Sequence, residues 1–127
     1  RGLGDVYKRQ KQHVTGMLGA LERAGMDIIS NYVKEAASFK KQIEEYFSLM
    51  RIWFRDVLLY KAIKDIDSLI FQDDYKLIEE MSGKIDYSGL NKILKAIDVS
   101  QNRIKSNVNF DVTMEVLFLT IKERIKK

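Results

Sequence analysis

The sequence predicts an all-α fold, a single helical bundle of five to six helices. From Lys11 onward, apolar residues recur at steps of three and four, which is the period of a helix with one buried face. The chain has no proline, and no alternating run is long enough to predict a strand. Its 127 residues, 46% apolar and 31% charged, are enough for one hydrophobic core.

The first two predicted helices are short. One covers residues 14–23 and ends before Gly25, a natural helix stop. Its apolar stripe consists of Met17, Leu18 and Leu21. The other covers residues 26–37, and its stripe consists of Ile28, Ile29, Tyr32 and Val33.

The third predicted helix, residues 39–63, is the longest and is the candidate for the centre of the bundle. Its apolar positions follow steps of four and three: Ile43, Phe47, Met50, Phe54 and Val57. Between residues 46 and 60, further apolar side chains cover almost every side of the helix. Such a helix is expected to be surrounded by neighbours.

Residues 64–74 interrupt the helical period. Aspartates that suit turns and caps are frequent there, and the apolar trio Leu69-Ile70-Phe71 is expected to pack onto the core. A fourth helix then covers residues 75–82 and ends near Gly83.

Two longer helices complete the chain. The fifth covers residues 89–106 with Ser88 as its N-cap, and its stripe consists of Leu90, Ile93, Leu94, Ile97 and Ile104. The sixth starts after Asn109, which can cap it, and ends in basic residues that suit a C-terminal turn. It is expected to bury Val112, Val116, Leu117, Leu119 and Ile121.

Residues 1–10 look foreign to the rest of the chain. The stretch Arg1-Gly-Leu-Gly-Asp-Val-Tyr-Lys-Arg-Gln10 resembles translated sequencing-adapter DNA, and its glycines and scattered charges show no helical period. We therefore expect residues 1–10 to be non-native and residues 11–127 to form the domain, as a fragment of a longer protein.

Few residues are suited to catalysis or to metal binding. Without cysteine the chain has no disulfide and no thiolate ligand, and with His13 as its single histidine it has no two-histidine metal site. His13 is expected to be exposed and without function. No glycine-rich phosphate loop is present. We accordingly predict no catalytic residue, no cofactor and no metal.

Charge and hydropathy give weaker indications. The net charge of +4 falls to +2 when residues 1–10 are set aside, so a nucleic-acid binder is only an alternative. That alternative relies on Arg51 and Arg55 beside Trp53 and Tyr60, which could stack on single strands. The longest apolar runs have four residues, far short of the roughly 20 needed to cross a membrane, so no membrane contact and a cytoplasmic location are expected.

Three segments resemble one family in the right order. The segment Trp53-Phe-Arg-Asp-Val-Leu-Leu-Tyr-Lys61 resembles the signature of the C-terminal domain of the bacterial DNA polymerase III delta-prime subunit. The turn Ser106-Asn-Val-Asn109, followed by Glu115-Val-Leu-Phe-Leu119, resembles that domain's last element. Between them, the helix that starts at Tyr87-Ser88 also matches. The resemblance covers about residues 26–125.

The resemblance implies an assembly role. In that family this domain is the helical collar through which clamp-loader subunits join into a ring, with AAA+ modules attached. It implies the delta and gamma/tau subunits as partners, an AAA+ module upstream, contact with DNA only through the whole assembly, and no catalysis in this chain. The related gamma/tau collar and a free-standing nucleic-acid-binding protein are the alternatives.

Seven residues match the family's motifs, and we expect structural or interface roles for them: Trp53, Arg55, Asp56, Tyr60, Lys61, Asn107 and Asn109. Trp53 and Tyr60 are seven residues apart on one helix face, so a single neighbour could contact both. The two asparagines are more easily explained as cap and turn residues.

Overall fold

The computed structural model describes residues 2–126, and it confirms the all-α prediction. Within that range it has six α-helices and four short 3-10 turns, and no strand. The helices are α1 (Gly2–Ala20), α2 (Met26–Ala37), α3 (Ile43–Ile63), α4 (Tyr75–Lys84), α5 (Tyr87–Lys105) and α6 (Phe110–Arg124).

Helix α3 lies at the centre of the bundle, as its composition predicts. It packs against α1, α4 and α5, while α6 packs against α2 and α5. Its buried side chains are distributed around most of the helix: Tyr46, Phe47, Leu49, Met50, Trp53, Phe54, Asp56, Val57 and Tyr60. The other helices are therefore positioned largely by the surface of α3.

The turn between α5 and α6 is built by asparagines. Asn107 adopts a left-handed backbone conformation with φ of 63°, which asparagine tolerates better than most residues. The N–H of Val108 then donates to the Arg103 carbonyl at 2.9 Å and that of Asn107 to the Ile104 carbonyl at 3.1 Å, which closes the end of α5. Asn109 caps α6, because its side chain accepts from the Val112 N–H at 2.9 Å.

The predicted cap of α5 was wrong. Asp86, not Ser88, is the N-cap, and its side chain accepts a hydrogen bond from the Gly89 N–H at 2.6 Å. A Cβ at position 89 would lie 3.0 Å from that carboxylate oxygen and 3.0 Å from Ile85. The glycine thus makes room for the acceptor three residues before it, and Ser88 falls inside the first turn.

Residues 2–10 are helical, contrary to the expectation that they have no helical period. They extend α1 toward the N-terminus, and Val6 and Gln10 continue the stripe that Val14 and Met17 form further along. Gln10 is fully buried and donates a hydrogen bond to the Gln42 carbonyl at 3.1 Å. A polar residue on the buried face concealed the period. That residues 1–10 are non-native stays a prediction.

Some side chains assigned to the core lie at the surface instead. Leu69 and Phe71 are buried as predicted, but Ile70 between them points outward. Ile28 on α2 is also exposed, and so are Val112 and Val116 on α6. Helix α6 carries apolar residues on more sides than its neighbours cover, and the face that it buries contains Thr113, Met114, Leu117, Phe118 and Ile121.

His13 is buried, contrary to the expectation that it is exposed. Its Nδ1 lies 3.0 Å from Glu35 Oε1, and its Nε2 lies 2.7 Å from the Tyr46 hydroxyl. A neutral ring satisfies both contacts, since Nδ1–H donates to the carboxylate and Nε2 accepts from the hydroxyl. The contacts connect α1, α2 and α3. Burial lowers the pKa of His13, and Glu35 opposes that effect.

We predict that His13 makes stability depend on pH. Its lowered pKa means that the folded chain binds fewer protons than the unfolded chain once the pH falls below about 6.5, the ordinary histidine value. The free energy of unfolding, measured by urea denaturation, should therefore fall as the pH is lowered through that value. The variant His13→Gln should lose this dependence, because the chain has no second histidine. An equal pH dependence in both proteins would contradict the assignment.

Candidate interaction site

Asp56 anchors the segment 64–74 to the bundle. Its carboxylate is fully buried and accepts hydrogen bonds from two backbone N–H groups, Ile70 at 3.0 Å and Phe71 at 2.8 Å. Backbone donors therefore solvate the buried carboxylate and fix where the segment lies. The structure gives this motif residue a structural role.

Trp53 belongs to the same junction. Its ring is fully buried, and Nε1 donates to the Met81 sulfur at 3.3 Å. The Phe71 ring meets it edge to face, with the centroids 5.4 Å apart. The side chain thus fills the space between α3, α4 and the segment 64–74. It has no exposed surface that another molecule could contact.

Tyr60 and Lys61 connect α3 to α4 one turn further along. Tyr60 is only 8% exposed, and its hydroxyl donates to Glu79 at 3.2 Å. Lys61 Nζ donates to the Ser82 carbonyl in the last turn of α4 at 2.9 Å, where a cation also complements the helix dipole. The same ammonium group lies 5.2 Å from the centre of the Tyr87 ring.

Arg55 is the motif residue that faces solvent. It is exposed, and it has no hydrogen-bond or ion-pair partner among residues 2–126. Arg51, one turn earlier, is engaged, because it forms an ion pair with Asp98 of α5 at 2.8 Å and a hydrogen bond with Gln101. A platform for stacking nucleic-acid bases does not form here, since the rings of Trp53 and Tyr60 are buried.

The remaining motif residues, Asn107 and Asn109, lie apart from this junction, at the turn between α5 and α6. They line a shallow surface depression together with Lys40, Ile43 and Phe110. The motif residues thus form two structural groups, one that holds the segment 64–74 and α4, and one that shapes the last turn. Arg55 alone is available to a partner.

An exposed apolar face on α5 and α6 was not predicted from the sequence. Val99, Val112 and Val116 are exposed by 39%, 55% and 43%. Val99 and Val116 line a groove between the two helices together with three cationic side chains: Lys92, Lys95 and Arg103. The signal was present in α6, whose apolar residues are too widely distributed around the helix for one buried face.

Two classes of site are absent from residues 2–126. No three His, Cys, Asp or Glu side chains in this range come together in a way that could hold a metal ion. No helix in it is long and apolar enough to cross a membrane.

Comparison with known proteins gives one match. The family model described as DNA polymerase III, delta subunit, C terminal, matches residues 22–123. Its description names the delta subunit, whereas the sequence motifs resemble delta-prime. No curated protein matches the chain. No solved structure matches it either.

We predict that Asp56 is the most sensitive polar residue of the junction. The change Asp56→Ala leaves the Ile70 and Phe71 N–H groups without acceptors, and it should lower the free energy of unfolding by about 1–3 kcal/mol or more. The control Asp67→Ala removes an exposed carboxylate from the same segment and should change stability by less than about 0.5 kcal/mol. Urea denaturation measures both, and equal losses would contradict the anchoring role.

Proposed function

Because the chain belongs to the family of C-terminal domains of the DNA polymerase III delta subunit, we propose that it is an assembly domain of a clamp loader. The match over residues 22–123 carries this proposal, since it includes α2 to α6 completely except for the last residue of α6. The proposed role is to hold subunits together in the clamp-loader ring as a collar, in the bacterial cytoplasm.

The structure supports a binding role rather than a catalytic one. The motif side chains with polar groups are used to hold the fold: Trp53, Asp56, Tyr60, Lys61, Asn107 and Asn109. What is left at the surface is Arg55 and the apolar face of α5 and α6, and such groups are typical of protein contacts. The proposed partners are the other clamp-loader subunits, delta and gamma/tau, with DNA reached only through the assembly.

The subunit to which the domain belongs is a finer proposal. Three motifs in order favour delta-prime: the segment 53–61, the helix from Tyr87, and the turn 106–109 with the helix that follows it. The family description names delta, and the gamma/tau collar is related. We propose delta-prime, with the collar of gamma/tau as the alternative.

We expect the 127-residue chain to bind other clamp-loader subunits and to hydrolyse no ATP. The chain, mixed with the remaining clamp-loader subunits encoded by the same genome, should co-elute with them in size-exclusion chromatography. The complex should persist at about 0.5 M salt, because burial of apolar surface is screened much less than charge attraction between exposed groups. Failure to co-elute with any subunit, or ATP hydrolysis by the chain alone, would refute the proposal.

A domain exchange tests which subunit the chain belongs to. The chain replaces in turn the C-terminal domain of delta, of delta-prime and of gamma/tau from that genome, and assembly of the clamp loader is followed by native mass spectrometry. Under the proposal, only the delta-prime replacement restores the complete complex. A complex that is restored in the gamma/tau or delta position alone would assign the chain to that subunit instead.

A further inference from the structure

The groove between α5 and α6 has an apolar floor. Ala96 and Val99 line it from α5, and Val116 and Leu117 line it from α6. Val112 lies one turn before Val116 on the same face and is more than half exposed. Single exposed apolar residues are ordinary on protein surfaces. Here, three exposed valines share one face of a helix pair, which is the pattern of a contact surface.

Helix α6 has a second apolar face that no part of residues 2–126 covers. Met114 and Phe118 are fully buried on the side that packs into the bundle, while Val112 and Val116 face outward. A helix that is apolar on several sides is expected to have neighbours on those sides. The outer side of α6 therefore lacks the neighbour that its composition calls for.

The rim of the groove is cationic. Lys92, Lys95 and Arg103 line it, and none of the three forms an ion pair within residues 2–126. No aspartate or glutamate of this part of the chain lines the groove. The carboxylate of Asp98, also on α5, is paired with Arg51 of α3. The acidic side chains Asp111 and Glu115 of α6 line a different depression, against α2.

From these observations we propose that the α5–α6 groove binds an amphipathic helix of a neighbouring clamp-loader subunit. The apolar side chains of that helix pack on Val99, Val112 and Val116, and its aspartates or glutamates pair with the cationic rim. This inference rests on the proposed function and adds the face and the chemistry of the partner.

An acidic helix fits this groove better than nucleic acid does. A phosphate backbone could pair with Lys92, Lys95 and Arg103, but it gains nothing from a floor of valine and leucine side chains. Binding of single strands relies on aromatic rings for stacking, and no aromatic residue within residues 2–126 lines the groove. Apolar contacts surrounded by charge pairs are what a protein interface provides.

The test places a carboxylate on the floor of the groove. In the full chain, Val99→Asp and Val116→Asp should each weaken binding to the remaining clamp-loader subunits by roughly tenfold or more, since central apolar contacts dominate interfaces. Ile28→Asp is the matched control, because Ile28 on α2 is exposed to a similar extent, 40% against 43% for Val116. Circular dichroism should show the same thermal unfolding for wild type and the three variants, because all three side chains are exposed.

Charge reversal tests the rim separately. The double variant Lys95→Glu/Arg103→Glu should weaken binding and remove most of its salt dependence, because it repels an acidic partner. Lys76→Glu changes an exposed lysine on α4 and is the control, for which no loss is expected. Binding constants from biolayer interferometry at two salt concentrations measure both effects.

The outcomes separate this inference from the proposed function. If the wild-type chain binds no other protein of the clamp loader, the proposed function fails and the inference with it. If the wild type binds and the groove variants bind as well as their controls, only the inference fails. The inference is also overturned if the rim cations are needed to bind a single strand of about 20 nucleotides, a length that exceeds a typical single-strand site, or if Val116→Asp converts a wild-type homodimer to a monomer.

Discussion

The fold depends on the burial of α3 on nearly all sides. A helix with this much apolar surface cannot lie at the edge of a bundle, so the other helices must surround it. Large rings and Met50 provide most of the contact area, and none of these side chains is charged. The one carboxylate on the buried surface, Asp56, is tolerated because backbone N–H groups solvate it. That single polar residue converts an apolar helix surface into one that specifies where the following segment lies.

Much of this architecture could be predicted from the sequence because helical periodicity reports burial directly. The limits of α2 agree with the prediction to the residue, and α3 occupies the predicted centre. The prediction failed where a polar residue takes a buried position. Gln10 and His13 satisfy their polar groups through Gln42, Glu35 and Tyr46, which are distant in sequence. No local pattern contains that information.

The candidate site was predictable in a different sense. The motif around Trp53 indicated the family, and residues 22–123 match that family. The motif did not indicate which of its side chains face a partner, since a cluster of aromatic and charged residues is typical of both cores and interfaces. The structure separates the two by burial: Trp53 and Asp56 lie inside, and Arg55 lies outside. Val112 and Val116 show the reverse error, because apolar residues were assigned to a core that could not reach them.

The position of Trp53 has a consequence for spectroscopy. It is the only tryptophan of the chain, and it is enclosed between the Met81 sulfur and the Phe71 ring. Indole emission from this protein therefore originates at one place, beneath the segment that Asp56 holds. Hydration of the indole requires that this segment detach, whereas a molecule that binds on α5 and α6 contacts other helices. The intrinsic fluorescence of the protein thus distinguishes local opening of residues 64–74 from occupancy of its outer surface.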